Sequence, residues 1–422
     1  MKKNIKLSEK NQNIVRNFSA LTLIQALNYL FPLILVPYVV RIINADKFGL
    51  ITYYNEILVY FIILVNFGFE FTATRQLALN IDNKEKTRKI FWETSFVRTI
   101  LLIVSVVSII IISTLIQDQA NHILYLIIFA KILGLAFLPT WFLNGIEKNN
   151  ITILFLFFTR LISAIYIFLY LENESQYLIY PIALTIAEII MGISLFIYII
   201  KKFDLGKIHY PKMKNIIIIF KENFFIFLNI VSNQYVTLNF FILGFFVSDQ
   251  MLGYYSGAFK IIMPIMIITW LPLNQSMYPI MNRAFKEDFK KGVYTFKKNL
   301  KPIIIFNLFL SISIYFTAPL LVKIVLGNGF DRSIEILKIF SLLPIFVTLT
   351  NYFTIQGLYV MKLENIAPYI GVSIGLLCII SNLLFTNIFG IKAAAYIWVL
   401  CQILAVIITG YILNIKMKKY IK

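Results

Sequence analysis

Residues 17–41 read NFSALTLIQALNYLFPLILVPYVVR, an apolar run with no charged residue between Arg16 and Arg41. An α-helix needs about 20 apolar residues to cross the roughly 30 Å hydrocarbon core of a bilayer. The run meets that length, exceeds the core of a signal peptide, and lacks a small-residue cleavage site, so it is predicted to be a retained first span. The rest of the chain repeats the pattern. Apolar stretches recur at 48–72, 90–115, 122–143, 151–170 and 177–200, and a second series follows at 218–247, 252–282, 302–326, 334–360, 366–388 and 391–415. The fold class predicted is therefore an all-α polytopic membrane protein of about twelve transmembrane helices in two six-helix bundles, 17–200 and 218–415. A linker at 201–217 joins the bundles, and basic tails lie at 1–16 and 416–422. Composition agrees: 59% of the 422 residues are hydrophobic and 14% charged, against about 25% charged in soluble proteins.

The formal net charge of +19, from 39 Lys and Arg against 20 Asp and Glu, would suggest a nucleic-acid partner on a soluble chain. Here its placement points to topology instead, and no nucleic acid is expected. The two tails and alternate connections carry 28 basic residues, while the opposite connections carry 4: Arg41, Lys47, Arg332 and Lys392. By the positive-inside rule both termini are expected in the cytoplasm. The longest hydrophilic connection, about 283–301, is too short for a folded domain of 50 residues or more, so function must reside in the membrane bundles. No phosphate-binding GxxxxGK[ST] loop, HExxH or GxSxG occurs, and His122 and His209 fall at span edges, so neither a catalytic centre nor a metal site is expected. Cys378 and Cys401 stand in separate apolar stretches and are predicted to be packing residues.

The two halves share features at nearly constant offset. Asn17-Phe18, Asp46 and Gly49-Leu50 correspond to Asn223-Phe224, Asp249 and Gly253-Tyr254. Such recurrence suggests a duplication whose copies share one orientation, since each half has six spans.

Charged side chains inside the bilayer cost roughly 2.5 to 3.5 kcal/mol each on insertion scales, so they face a partner or a cavity. The first half holds Arg98, Lys131 and Arg160 against a single central anion, Glu188, and the second half adds Lys260. One reading is a buried structural ion pair in which Glu188 neutralises one cation. The other is a cavity for an anion, because one carboxylate cannot neutralise every cation and guanidinium forks match phosphate oxygens. Amides also recur at depth: Gln25 and Asn28 in the first span, Asn233 and Gln234 in the seventh. They serve either to hold helices together or to hydrogen-bond sugar hydroxyls. Pro32, Pro37, Pro264 and Pro272 are predicted to kink their helices.

Several segments carry a family resemblance. Asn17-Phe18-Ser19-Ala20-Leu21-Thr22 with Gln25-Ala26-Leu27-Asn28-Tyr29, Pro32, Pro37-Tyr38 and Arg41 is similar to the first span of bacterial polysaccharide flippases of the Wzx type. Lys47-Phe48-Gly49, Asn66-Phe67-Gly68-Phe69 with Ala73-Thr74-Arg75, Trp141-Phe142-Leu143-Asn144-Gly145-Ile146-Glu147 and Phe241-Ile242-Leu243-Gly244 followed by Gly253-Tyr254-Tyr255 extend it along nearly the whole chain. Many relatives carry a glutamine after the Trp-Phe-Phe of the fourth span, where this chain has Leu143-Asn144. The resemblance implies the multidrug, oligosaccharidyl-lipid and polysaccharide exporter superfamily, with two six-helix bundles around a central cavity in the bacterial cytoplasmic membrane. It also implies the substrate, an undecaprenyl-pyrophosphate-linked oligosaccharide moved from the inner to the outer leaflet by alternating access for O-antigen or capsule.

On that reading Arg98, Lys131, Arg160 and Lys260 bind the anionic head group, while Gln25, Asn28, Asn233 and Gln234 meet the glycan. Glu188 is the candidate coupling carboxylate. No cofactor is expected, and the energy comes from the membrane potential or from a proton or sodium gradient. Two negative charges moving outward across 100 mV, inside negative, would gain roughly 4 to 5 kcal/mol. The expected partners are membrane lipids, a polysaccharide polymerase and a chain-length regulator. Two rivals stand beside this reading. A multidrug or cation antiporter would need an acidic cavity, and a membrane polysaccharide polymerase would need a substantial outer loop.

Overall fold

The computed structural model describes residues 2–115, 119–232, 234–363 and 365–421. The regular structure of the described residues is entirely helical, with no strand. In chain order the helices are α1 (Lys2–Asn66), α2 (Phe69–Leu79), α3 (Lys84–Leu115), α4 (Gln119–Phe129), α5 (Lys131–Phe137), α6 (Thr140–Gly145), α7 (Asn150–Tyr170) and α8 (Ile179–Lys202). They continue with α9 (Met213–Ser232), α10 (Tyr235–Phe246), α11 (Asp249–Glu287), α12 (Phe289–Val325), α13 (Asp331–Phe340), α14 (Leu343–Asn351) and α15 (Ile366–Ile421).

Nine helical stretches among the described residues are long and apolar enough to cross a membrane. Where twelve runs were read in the sequence, the difference has three local causes. α1 contains two helices that meet at a kink at Asn44, whose φ of 62° is one that asparagine tolerates better than most side chains. α15 likewise contains two helices meeting at Gly390, φ 61°, where the missing Cβ removes the penalty. The run at 218–247 is divided between α9 and α10, and Lys221 and Glu222 interrupt its apolar character. The predicted prolines do lie inside helices, Pro32 and Pro37 in α1, Pro264 and Pro272 in α11.

Contacts divide the chain into two compact units, one of residues 1–43 and 54–231, the other of 44–53 and 232–422. Residues 44–53 of the first half thus group with the second unit, and most of α9 groups with the first. In the first unit, Phe91 gathers Trp92, Trp141, Phe142 and Phe196 at ring-centroid distances of 5.3 to 5.9 Å. The second unit has its own aromatic knot, Phe240 with Tyr255 and Phe259, and Phe340 with Tyr255 and Trp398, at 5.0 to 5.3 Å. Rings of this size bury the largest apolar areas available to a side chain, and edge-to-face contact adds to that.

The duplicated glycines meet inside the second unit. A Cβ on Gly49 would strike the Asp249 carbonyl and the Gly253 backbone, and one on Gly253 would strike the Ala45 carbonyl. Only residues without a side chain let two backbones approach so closely, which explains why glycine stands at both positions of the internal repeat. Cys378 and Cys401 also come together, as free thiols in a buried patch with Ile374, Ala393 and Ala405. Cys378 Sγ donates to Asn239 Oδ1 at 3.3 Å.

Candidate functional site

The polar interior of the first unit is built on a close crossing of α5 and α8. A Cβ on Gly134 would collide with the Glu188 carbonyl, and one on Gly192 with the Gly134 carbonyl. This backbone contact fixes Lys131, one turn before Gly134, and Glu188, one turn before Gly192. Lys131 is buried and donates from Nζ to Asn55 Oδ1 at 2.6 Å. Glu188 accepts from Arg160 of α7, with Arg160 Nη2 and Glu188 Oε1 2.8 Å apart. The Arg160 guanidinium also lies 5.5 Å from the centroid of the Phe31 ring, a cation–π arrangement.

Arg98 sits differently. It donates from Nη1 to the Leu138 carbonyl at 3.0 Å, and from Nη2 to the Leu135 carbonyl at 2.9 Å and Asn66 Oδ1 at 3.0 Å. Leu135 and Leu138 lie at the C-terminal end of α5, where helix carbonyls have no partner within the helix and attract positive charge. Arg98 therefore clamps the far end of the helix that begins at Lys131. Accessibility separates the two arginines: Arg98 is 3% exposed, whereas the Arg160 side chain keeps 23% of its surface and Glu188 keeps 14%. The Arg160–Glu188 pair keeps exposed surface, and Arg98 keeps almost none.

Of the remaining sequence candidates in this unit, Gln25 is exposed and Asn28 half-buried on α1. In the second unit Lys260 is half-buried on α11, its Nζ 5.8 Å from the Phe259 ring. Gln234 is the half-buried N-cap of α10, and Asn233 lies outside the described residues. The structure thus brings Arg160 and Glu188 into one ion pair and gives Arg98 and Lys131 separate partners.

Several polar residues that complete this interior were not among the candidate binding residues read from the sequence, although Asn66, Asn144 and Asn223 stand in segments quoted there. Glu70 of α2 accepts from Thr140 Oγ1 at 2.5 Å and from Asn144 Nδ2 at 3.2 Å. Thr72 donates to Asn223 Oδ1 at 2.5 Å, and Asn55 and Asn66 supply the oxygens for Lys131 and Arg98. The second unit holds neutral networks: Asn382 donates to Asn239 at 3.0 Å, Thr386 to Asn382 at 3.2 Å, and Thr348 to Asn307 at 3.2 Å. Their signal in the sequence is a neutral amide or hydroxyl at mid-span, which a census of charges passes over.

Residues 14–285 match the family described as "Polysaccharide biosynthesis protein". The chain belongs to that family. It is 26% identical over 376 residues to a protein of Escherichia coli (strain K12) called "Putative O-antigen transporter", covering 89% of this chain and 90% of that one. A Shigella dysenteriae protein of the same name is 24% identical over 339 residues, covering 80% and 84%. This polysaccharide biosynthesis protein also shares its fold with solved transporters. The inward-facing structure of a multidrug resistance MATE family transporter of the MOP superfamily superposes with a TM-score of 0.72 at 13% identity, covering 94% of this chain and 95% of that one. A MOP superfamily transporter from Pyrococcus furiosus, described as having reverse polarity of its binding pocket, gives 0.60 at 14% identity, covering 97% and 96%.

Proposed function

We propose that this protein is a flippase for polysaccharide precursors, moving undecaprenyl-pyrophosphate-linked oligosaccharide repeat units from the inner to the outer leaflet of the bacterial cytoplasmic membrane by alternating access. Twelve spans with both termini in the cytoplasm complete the reading, supported by the 28 to 4 division of basic residues. The observation that carries the proposal is a partly exposed guanidinium, Arg160, with a buried ammonium, Lys131, in the same unit of a chain from the polysaccharide biosynthesis family. Glu188 pairs with Arg160, and Lys131 donates to Asn55. A pyrophosphate is the ligand such cations favour, because charge-assisted bonds to its oxygens replace water that the bilayer withholds.

Arg160 and Lys131 bind the anionic head, and Arg98 positions α5. Glu188 releases Arg160 when phosphate oxygens arrive, which makes it the carboxylate best placed to couple an ion gradient to binding. An organic-cation antiporter is disfavoured by the same two cations, which would repel its substrate. A polysaccharide polymerase and a chain-length regulator take the product onward.

The test is a deletion strain with and without the restored gene. Surface polysaccharide and the inner-leaflet pool of lipid-linked repeat units are measured together. Loss at the surface with accumulation inside is expected. Normal surface glycan in the deletion strain would refute the proposal, and unpolymerised units reaching the outer leaflet would assign polymerisation instead.

A further inference from the structure

The second unit contains a cavity of about 490 Å³ away from the charges discussed above. It opens where α11 and α13 begin and where α15 breaks at Gly390. Its charged lining is Arg332, Lys392 and Glu335, a net positive set. Asp249 and Asp331 stand in the first turns of α11 and α13 without lining it. Lys392 Nζ lies 2.7 Å from Glu335 Oε2, with both side chains 56% exposed. Arg332 has a poorer partner within the protein: Nη1 donates to the thioether of Met251 at 3.2 Å, and sulfur of this kind is a weak acceptor. Two of the four basic residues that the topology assigns to the sparsely charged side of the chain thus converge on one cavity.

The walls are apolar. Val247, Ile336 and Phe389 line the cavity, and Phe389 leaves 63% of its surface exposed beside Ile388 at 69%. Gly390 keeps the mouth open, with nothing within 4 Å of where a Cβ would stand.

We propose that this cavity is a second anion site, which binds the phosphate-ester head group of a membrane lipid. The guanidinium of Arg332 offers a planar fork for two phosphate oxygens. One of these oxygens also accepts from Lys392 in place of the Glu335 carboxylate. A free anion would have no use for Phe389 and Ile388, whereas a lipid lays its glycerol and acyl chains against them. The site stands apart from the translocation reading, since it requires only equilibrium binding.

The test is native mass spectrometry of the full-length protein in detergent, titrated with phosphatidylglycerol, with diacylglycerol of the same chains, and with inorganic phosphate as competitor. Phosphatidylglycerol should bind and diacylglycerol should not. Arg332→Gln should weaken binding by about tenfold or more, the effect of removing a charge-assisted bond. Glu335→Gln should strengthen it, because the competing carboxylate is gone. If Lys392 and Glu335 are only a surface ion pair, Glu335→Gln and Lys392→Gln will leave binding unchanged, and the proposal falls. Equal binding of diacylglycerol would remove the phosphate from the argument. Displacement of phosphatidylglycerol by inorganic phosphate at equal concentration would overturn the assignment to a lipid. A thermal melt of each variant establishes folding, so that unfolding is not read as lost affinity.

Discussion

Replacing Arg98 by alanine separates a structural clamp from a ligand-binding arginine. The substitution deletes three hydrogen bonds, to the Leu135 and Leu138 carbonyls and to Asn66. Interhelical hydrogen bonds in bilayers contribute about 0.6 kcal/mol on average and up to about 1.7, so the loss comes to about 2 to 5 kcal/mol. Removing a buried guanidinium acts the other way, because its desolvation is relieved. That relief is small, since helices dispersed in the bilayer carry the same arginine before they pack, and the two carbonyls at the end of α5 lose the guanidinium. Arg98→Ala should therefore unfold about 2 to 5 kcal/mol more easily in a sodium dodecyl sulfate titration of mixed micelles, followed by tryptophan fluorescence. Transport should fall only as far as the folded population falls. Arg160→Ala should do the reverse, with a smaller loss of stability and a large loss of transport at matched expression. The reasoning is refuted if Arg98→Ala unfolds within about 0.5 kcal/mol of the parent, the range of an inconsequential surface change, while transport is abolished.

Exchanging Arg160 and Glu188, as Arg160→Glu with Glu188→Arg, should restore much of the stability that either single change removes, because the pair is re-formed at 2.8 Å geometry; complementation of surface glycan should stay low, and full complementation would show that only the pairing matters. Glu188→Gln alone should leave stability nearly intact, as Arg160 is partly accessible, yet change the dependence of transport on the ion gradient; an unchanged dependence removes Glu188 as the coupling group. Gly134→Leu should lower expression and melting temperature sharply, since even a Cβ meets the Glu188 backbone and overpacking costs about 1 to 3 kcal/mol; a stable variant would mean that α5 and α8 can separate. Gly253→Val should act likewise through the Ala45 carbonyl, with the melting temperature again as the readout.

Much of the fold was legible before any coordinate. Apolar runs of helical length reveal a membrane bundle because lipid withdraws water from every peptide group, and only self-satisfied helices remain. The depth of Arg98, Lys131, Arg160 and Glu188 was legible for the same reason, since each interrupts a run that tolerates few charges. Their partners were not. Asn55 and Asn66 are unremarkable letters in α1 until the fold sets Asn55 against Lys131 and Asn66 against Arg98. Breaks in the helices were also partly hidden: Asn44 and Gly390 turn the chain with a single residue, where a longer polar loop would have announced itself.

The sequence by itself determined the membrane class, the apolar runs of helical length and the presence of Arg98 and Lys131 within them, because these depend on composition and on distance along the chain. Tertiary structure alone decided that Arg98 holds the end of α5 while Arg160 meets Glu188, that Gly49 abuts Gly253, and that residues 44–53 pack with the second unit. Those outcomes depend on which faces of distant helices meet, and hydropathy carries no information about facing when most faces are apolar.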